Sequence, residues 1–377
     1  MSQALLPNLA QLPVIQNLEA LLISGIPLLD VRAPVEFAEG AFPSATNLPL
    51  LNDTERAAIG TRYKQAGQDA AIELGLDQIS GTVKSQRIQS WQQFFAQHPN
   101  AALYCFRGGL RSKITQQWLY EQTGKLYPRV EGGYKALRRF VLEQIDQLNT
   151  WLLPIVLSGR TGSGKTLLLE QLPQTMDLEA LANHRGSAFG TQVTPQPSLA
   201  SFENALLVRL LQQRAAGFQQ LIFEDESRTI GSIHLPEVLF DLLREAPLLV
   251  LQTPDEQRVE ISFQAYVVDM LHDFTALHQD TAKCLTAFEQ YVQNSAGKIA
   301  KRLGGMRYAK VTELIEAAFV KQRETGELQA HREWVQFLLF EYYDPMYDYQ
   351  LAKKQQRVLF QGSAAEIQDF LKNYLVK

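Results

Sequence analysis

Cysteine is scarce in this sequence, and long apolar runs are absent. Only Cys105 and Cys284 occur among the 377 residues, which excludes a disulfide framework and a cysteine-rich metal site. This usage fits a reduced compartment, so we expect a cytoplasmic protein. No apolar run reaches the roughly 18 residues of a membrane-spanning helix, and the first residues lack the basic and apolar regions of a signal peptide. We therefore expect neither a membrane span nor a cleaved leader.

A strong charge of one sign is also missing. The formal net charge is −4, and 46% hydrophobic with 20% charged residues is ordinary for a globular protein. Without an overall positive charge, contact with nucleic acid has to come from a local basic patch. The length of the chain predicts two domains.

The first half of the chain alternates apolar stretches with amphipathic ones. The stretches Leu28–Arg32 and Ala101–Cys105 predict short buried strands, and residues 85–97 predict a helix with one apolar face. Residues 53–79 carry several charges and glycines, and we interpret them as a helix plus a mobile loop. Strands that alternate with helices predict an α/β fold with a parallel sheet.

A cysteine followed by glycines and arginines ends the second of these strands. Cys105 is the predicted nucleophile, because loop N–H groups, a helix N-terminus and guanidinium groups all favour a thiolate over a thiol. The alternative is an inert buried cysteine at a strand end. The predicted oxyanion-binding residues are Arg107, Gly108, Gly109, Arg111 and Ser112.

The second half contains a P-loop pattern between a predicted strand and a predicted helix over 167–172. Its glycines let backbone N–H groups approach phosphate oxygens, Lys165 offers a cation, and Thr166 offers a ligand for Mg²⁺. The alternative is a glycine-rich turn that binds nothing. The predicted phosphate-binding residues are Gly159, Thr161, Gly162, Ser163, Gly164, Lys165 and Thr166.

Acidic residues end the apolar stretch Leu221–Glu226, which resembles a Walker B strand. Asp225 or Glu224 is therefore a candidate partner of Mg²⁺ through water, although acids at a strand end are common. The polar loop His184–Gly190 is expected near the phosphates, and we assign His184 no catalytic role.

A basic cluster and an aromatic segment mark the C-terminal part, where residues 257–330 predict helices. The basic cluster has five cations and no acid in thirteen residues, and it is either a solvated helix face or a surface that contacts the phosphate backbone of a nucleic acid. The aromatic segment 341–350 suits base stacking or the packing of a domain interface. Val358–Phe360 predicts a last strand, and Ser363–Glu366 predicts a capping box. The basic cluster consists of Lys298, Lys301, Arg302, Arg307 and Lys310.

Several residues spread over 12–143 follow the pattern of one known family. They are Leu29–Arg32, Glu36, Phe37, Gly40, Pro43, Ala45, Asn47, Cys105, Arg111, Ser112 and Glu131–Gly133. With these residues the segment resembles the rhodanese family. The resemblance implies that Cys105 carries sulfur or selenium as a persulfide or perselenide. Arg111 lies six residues after Cys105, where a standard sulfurtransferase has five, and six also suits cysteine-dependent phosphatases. The loop alone leaves both activities open.

The chain as a whole is similar to the tRNA 2-selenouridine synthase family. The resemblance implies a rhodanese-like parallel-sheet domain over 12–143, then a P-loop α/β domain over 153–377 with a helical C-terminal region. The motifs that carry it are Cys105–Gly109, Glu131–Tyr134, Gly159–Thr166, His184–Gly190, Glu224–Arg228 and Tyr342–Gln350.

That resemblance also implies a reaction. Members of the family replace the sulfur of 2-thiouridine at the tRNA wobble position with selenium from selenophosphate, after S-geranylation by geranyl diphosphate. Cys105 would then hold selenium and its loop would bind selenophosphate, while the P-loop would hold the diphosphate with Mg²⁺. The implied partners are tRNA and an enzyme that supplies selenophosphate, and no organic cofactor is expected.

Two other functions stay open at this stage. One is a cysteine-dependent sulfurtransferase or phosphatase with a regulatory NTPase domain, and the other is a non-catalytic RNA-binding NTPase. A nucleotide in the P-loop is compatible with the sequence. A basic and aromatic C-terminal half beside a complete cysteine loop speaks against both alternatives.

Overall fold

The computed structural model describes residues 12–278 and 280–374. Contacts divide the chain into two compact units, one formed by the residues up to Gln147 with Ser198–Ala216, the other by Leu148–Pro197 with the residues from Gly217 onward. The domain limits 12–143 and 153–377 stay a prediction. The contact-based units differ from those limits chiefly in the segment Ser198–Ala216.

Short strands and longer helices alternate along the chain. The strands are β1 (Val14–Ile15), β2 (Leu28–Asp30), β3 (Ala45–Asn47), β4 (Ala102–Tyr104), β5 (Arg129–Val130), β6 (Leu153–Ser158), β7 (Thr175–Met176), β8 (Gln220–Glu224), β9 (Thr229–Ile230), β10 (Ile233–His234), β11 (Leu248–Leu251) and β12 (Val358–Gly362). The helices are α1 (Leu18–Ser24), α2 (Pro34–Glu39), α3 (Asp53–Gln78), α4 (Gly81–Gln97), α5 (Leu110–Thr123), α6 (Gly133–Ile145), α7 (Lys165–Leu169), α8 (Leu178–Leu181), α9 (Leu199–Ala215), α10 (Glu237–Glu245), α11 (Asp255–Phe263), α12 (Asp269–Leu277), α13 (Thr281–Leu303), α14 (Gly305–Thr325), α15 (His331–Leu338), α16 (Asp344–Lys353) and α17 (Ala364–Tyr374).

The first unit contains a five-stranded parallel sheet in the order β1-β5-β4-β2-β3. Both predicted strands are present as β2 and β4, and all their residues are buried, as in parallel sheets covered by helices. Trp91 of α4 and Trp118 of α5 pack in the core on one face of this sheet. Helix α9 packs against α1 and α6 of the same unit.

The helices confirm one prediction for this unit and correct another. The helix predicted at 85–97 is α4, which begins four residues earlier, at Gly81. The loop predicted within 53–79 is wrong, because α3 runs through the stretch with one kink at Gly67 (φ 84°, ψ −175°). Asn52 and Glu55 form a capping box that starts α3, and two helical segments of α3 meet at Gly67, whose non-helical backbone conformation suits glycine.

The second unit contains a five-stranded parallel sheet in the order β12-β11-β6-β8-β7. Its core joins Leu157, Ile222 and Leu249 of the central strands to Leu168 of α7 and Ile367 of α17. The strands β9 and β10 form a separate antiparallel pair. The predicted α/β class with parallel sheets is therefore confirmed. Helix α7 ends at Leu169, three residues before its predicted end.

Helices α11 to α16 form an all-helical layer of the second unit, as predicted for residues 257–330. Phe288, Phe319 and Trp334 are at most 1% exposed in its core. Tyr342 and Tyr343 of the aromatic segment belong to the same core, whereas Tyr349 is 61% exposed. Of the two alternatives, base stacking is therefore excluded for the two buried tyrosines, and both alternatives stay open for Tyr349. Among the described residues, no helix has the length and apolarity needed to cross a membrane.

A buried arginine holds the P-loop in place. Arg258 of α11 is 1% exposed, and its Nε and Nη2 donate to the Thr161 carbonyl oxygen at 3.2 and 3.1 Å. Its Nη1 donates to Asp344 Oδ2 at 2.9 Å and to Asp255 Oδ1 at 2.7 Å, and Nη2 also donates to Asp344. One guanidinium thereby ties the loop to the starts of α11 and α16.

The P-loop also packs closely on α11 through a glycine. Gly162 has φ +77°, and a Cβ there would overlap Ser262 Oγ and lie 2.6 Å from the Arg258 carbonyl oxygen. Gly164 has a similar φ of +83°, but its Cβ would meet side-chain carbons at ordinary contact distances, Ile261 Cδ1 at 3.4 Å and Leu167 Cδ1 at 3.6 Å. The two glycines share a backbone conformation and differ in the space around them.

We expect Gly162→Ala to lower the melting temperature of the full chain more than Gly164→Ala. In both variants an alanine must adopt the left-handed backbone conformation, which costs about 1–2 kcal/mol of stability. Only Gly162→Ala also forces the backbone of α11 to move. Since about 1 kcal/mol corresponds to about 2–4 °C for a unit of this size, the difference should be at least about 2 °C by calorimetry. Equal shifts would show that the close packing on Arg258 does not constrain the loop.

Candidate active sites

The cysteine loop connects β4 to α5 in the first unit. Cys105 is 3% exposed, and its Sγ lies 3.3 Å from the hydroxyl oxygen of Ser112. That hydroxyl donates to the Gly109 carbonyl oxygen at 3.0 Å. Three of the predicted loop residues are thus brought together around the sulfur.

The first residues of α6 form backbone hydrogen bonds to the cysteine loop. The Tyr134 and Lys135 N–H groups donate to the carbonyl oxygens of Cys105 and Phe106, both at 2.9 Å. Gly133 is required there, because a Cβ on it would overlap the Cys105 carbonyl oxygen. The Glu131–Tyr134 motif is therefore the structural partner of the cysteine loop.

The Arg111 guanidinium forms a bidentate ion pair with Glu36. Its Nη1 and Nη2 donate to Glu36 Oε2 and Oε1 at 2.6 and 3.0 Å, and the Ala33 N–H donates to Oε2 at 2.9 Å. Burial would raise the pKa of Glu36, but the hydrogen bonds and positive charge of Arg111 lower it below the usual value. Glu36 therefore already balances part of the positive charge that was predicted to bind an oxyanion. The sequence analysis did not assign this role to Glu36.

Two other arginines surround the loop. Arg107 is exposed, and Arg129 donates through Nε to the Gly108 carbonyl oxygen at 3.4 Å. Burial lowers the pKa of Arg129, while the nearby charges of Cys105 and Glu131 act in the opposite direction. The sequence analysis missed Arg129, because only the pairing of β5 with β4 brings it to the loop.

The P-loop lines a cavity of about 1270 Å³ in the second unit. All seven predicted phosphate-binding residues line it, together with Glu224 and Asp225. The Lys165 ammonium donates to the Gly159 carbonyl oxygen at 3.0 Å, which keeps the cation over the loop. The structure therefore gathers the predicted P-loop residues around one space.

Several residues that line this cavity also carry a buried polar atom that has no hydrogen-bond partner among the described residues. Buried polar groups in proteins are nearly always hydrogen-bonded, so these atoms are exceptions. Ser163 and Ser262, for example, are only 4% and 1% exposed. The atoms are Ser163 Oγ, His184 Nδ1 and Ser262 Oγ.

Thr166 and Asp225, the candidate Mg²⁺ ligands, both line this cavity. Asp225 Oδ2 accepts from Ser158 Oγ and Oδ1 accepts from Lys354 Nζ, both at 2.7 Å. Among the described residues, no group of three or more His, Cys, Asp or Glu is arranged to hold a metal. The residues present fit a Mg²⁺ held mainly by phosphate oxygens and water, with at most one or two protein contacts.

Glu224 is a poorer candidate for a metal ligand than Asp225. Burial raises its pKa well above the usual value, and the negative charges of Asp177 and Glu179 act in the same direction. Its Oε2 accepts the Leu178 N–H at 2.7 Å. A carboxyl group in this setting favours the neutral form, which binds cations weakly.

All five residues of the basic cluster are exposed, on α13 and α14 to either side of Gly304. Lys298 Nζ donates to Thr191 Oγ1 at 3.1 Å, while Arg307 lies 3.6 Å from Glu341 and Lys310 lies 3.1 Å from Glu313. Two of the five thus have acidic partners that lie outside the acid-free stretch.

Comparison with known proteins assigns the chain to one family. The family model for the "tRNA 2-selenouridine synthase AAA domain" matches residues 153–377. A "tRNA 2-selenouridine synthase" of Sulfurovum sp. (strain NBC37-1) is 48% identical, covering 97% of this chain and 99% of its own. Proteins of the same name from Marinobacter nauticus and Bordetella bronchiseptica are 49% and 47% identical, covering 94% and 95% of this chain and 96% and 97% of their own. Because this identity extends over nearly all of each chain, the chain belongs to the tRNA 2-selenouridine synthase family.

Proposed function

We propose that this chain replaces the sulfur of 2-thiouridine at the tRNA wobble position with selenium, using selenophosphate and passing through S-geranylation by geranyl diphosphate. One observation carries the proposal. A single chain of this family combines a buried loop cysteine ringed by arginines with a P-loop cavity of about 1270 Å³. The first site suits the transfer of a chalcogen, and the second suits a diphosphate with an organic tail.

In the selenium step, the Cys105 thiolate attacks the phosphorus of selenophosphate. An S–P bond forms on Cys105, while the P–Se bond breaks with its electron pair on selenium. Arg107, Arg129 and the loop N–H groups bind the oxyanion, with Gly108, Gly109, Ser112 and the Glu36-paired Arg111 shaping the loop. The freed selenide then attacks C2 of the alkylated base, the C2–S bond breaks with its electron pair on geranylthiolate, and water hydrolyses the S–P bond to release phosphate from Cys105.

In the geranyl step, the P-loop binds the diphosphate of geranyl diphosphate. The sulfur of the base forms a bond to C1 of the geranyl group, and the C1–O bond breaks with its electron pair on the diphosphate. Lys165 and the loop N–H groups stabilise that growing charge. A Mg²⁺ held by Thr166 and, through water, by Asp225 would supply further charge compensation for the diphosphate. Alkylation makes the sulfur a better leaving group.

The setting of the reaction follows from its chemistry. A reactive cysteine thiolate and selenide-level selenium both require a reducing compartment, which we infer to be the cytoplasm. Selenophosphate must come from an enzyme that attaches selenium to phosphate, and tRNA is the macromolecular substrate.

Analysis of nucleosides by mass spectrometry tests the division of labour between the two sites. Purified protein is incubated with 2-thiouridine tRNA, geranyl diphosphate and dithiothreitol, with or without selenophosphate. Lys165→Ala should lower geranylation at least about 100-fold, because it removes a charge that stabilises the leaving diphosphate. Cys105→Ser should still form geranylthiouridine and should form no selenouridine.

Cys284→Ser is the matched control, since Cys284 is also buried but lies in α13, in the helical layer, and it should retain both steps. A wild-type protein that forms neither nucleoside contradicts the proposal. Release of phosphate from an aryl phosphate, abolished by Cys105→Ser, would then identify the phosphatase alternative.

We also propose that the basic cluster contacts the phosphates of tRNA. Lys301 and Arg302, near the end of α13, are exposed to solvent next to Met306, which is 91% exposed. Since the other members contact Thr191, Glu341 or Glu313, these two cations are the best placed for phosphates.

The salt dependence of tRNA binding tests this surface. The double variant Lys301→Ala/Arg302→Ala should weaken binding and reduce the slope of log K against log salt by about 1.4–1.8, because each lost phosphate contact removes about 0.7–0.9. Lys321→Ala, on the opposite end of α14, is the control and should leave the slope unchanged. An unchanged slope in the double variant would exclude this surface from the tRNA interface.

A further inference from the structure

A helical hairpin in the first unit extends into solvent. The two segments of α3 fold back on each other at Gly67, because a Cβ built on Gly75 would lie 3.3 Å from Ile59 Cδ1, whereas a straight helix would separate these residues by about 24 Å. Ile59 and Leu76 pack against the core of the unit. Beyond them, residues 60–69 are all exposed, and we call these residues the α3 arm.

The α3 arm lacks the packing that usually stabilises a helix in a protein. Most helices bury an apolar stripe, and this packing supplies most of their stability. Among the described residues, the side chains of Arg62, Tyr63 and Lys64 in the arm have no hydrogen-bond or ion-pair partner. Tyr63 is 57% exposed. An aromatic ring between two cations is therefore available to a partner outside the chain.

The charge of the α3 arm suits an anionic partner. Residues 56–68 contain three cations, Arg56, Arg62 and Lys64, and no acid, although the chain as a whole has a net charge of −4. Aromatic rings flanked by cations are what proteins use to bind unpaired nucleic acid, since bases stack on the ring and phosphates pair with the cations. The bases of a duplex are already stacked, so an exposed tyrosine favours single-stranded RNA.

The α3 arm begins beside the cysteine loop. Arg56 Nε lies 3.4 Å from Glu36 Oε1, and the same carboxylate binds Arg111 of the loop. Tyr63 follows Arg56 by two helical turns, so both side chains lie on one face of α3, about 10 Å apart along its axis. That distance equals about three stacked nucleotides at about 3.4 Å each. A base on Tyr63 is thus a few nucleotides from a base at the cysteine loop.

We propose that the α3 arm binds the single-stranded anticodon loop of tRNA, with Tyr63 stacked on a base near the wobble position and Arg62 and Lys64 paired with phosphates. This inference rests on the proposed function, because selenide released at the cysteine loop has to reach C2 of the wobble base. The basic cluster of the second unit offers charges for phosphates, whereas the arm also offers a ring for a base.

Binding of a short RNA stem-loop with the anticodon sequence to the full chain tests the stacking contact. Tyr63→Ala should weaken the affinity by about 5–150-fold, the usual range for the loss of one stack between a base and an aromatic ring. Tyr63→Phe keeps the ring and should bind within about twofold of the wild type. Tyr120→Ala is the matched control, because Tyr120 is 50% exposed on α5 of the same unit, and it should keep the wild-type affinity.

Stem-loops with one abasic loop nucleotide each distinguish a stacking contact from a structural effect. One abasic position near the wobble nucleotide should weaken binding to the wild type as much as Tyr63→Ala does. The same RNA should bind Tyr63→Ala no more weakly than the intact RNA does, because the stack can be lost only once.

The salt dependence of binding tests the two cations of the arm. Arg62→Ala/Lys64→Ala should reduce the slope of log K against log salt by about 1.4, at about 0.7 for each phosphate of a single strand. Lys125→Ala removes an exposed lysine that follows α5, and it should leave the slope unchanged.

A wild-type affinity and salt slope in the Tyr63 and Arg62/Lys64 variants would overturn the inference and leave the arm to a protein partner. Tyr63→Ala that weakens binding of the intact and all abasic RNAs by the same factor would overturn it as well, since Tyr63 would then contact no loop base. A wild-type protein that binds the stem-loop through Tyr63 but forms neither modified nucleoside would contradict the proposed function and leave the RNA contact standing.

Discussion

The buried guanidinium of Arg258 is the interaction on which the second unit depends. It joins the carbonyl of Thr161 in the P-loop to Asp344 at the start of α16. Removing one partner of such a buried pair typically costs about 3–5 kcal/mol, because the other charge stays buried. The aromatic segment is therefore part of the P-loop scaffold. Tyr347 contacts Ser158 at 3.3 Å and Asp348 accepts two hydrogen bonds from Arg160, which brings the segment over the loop.

The cysteine loop is stabilised differently, by charges that neutralise one another around a nearly buried sulfur. Glu36 holds Arg111 in a bidentate pair, and its lowered pKa keeps that pair ionised to a more acidic pH than an ordinary glutamate allows. The contribution of the pair to stability is present above the usual pKa and is lost as the pH falls through the lowered one. Under the proposed function, the positive charge left for a substrate oxyanion would therefore come mainly from Arg107 and Arg129.

Local patterns in the sequence were sufficient to predict the features that depend on neighbouring residues. The seven predicted P-loop residues lie within eight consecutive positions and gather as expected, and Ser363 and Glu366 form the predicted capping box. The roles of Arg129 and Glu36 at the cysteine loop could not be predicted, because strand order and loop packing bring them there. The contact between Glu341 and Arg307 could not be predicted for the same reason, because the two residues lie far apart along the chain. Gly67 misled the prediction, since a glycine signals either a loop or a tolerated kink.

The acidic wall of the cavity is compatible with an anionic ligand because little of its formal charge is expressed. Asp225 is balanced by Lys354 at 2.7 Å. Glu224 has a pKa raised well above the usual value by burial and so favours its neutral form. Burial also raises the pKa values of Glu179 and Glu226, which lie in the same wall as Lys165. Under the proposed function, a diphosphate bound at the loop N–H groups would therefore meet a wall whose negative charge is weakened by burial and by Lys354.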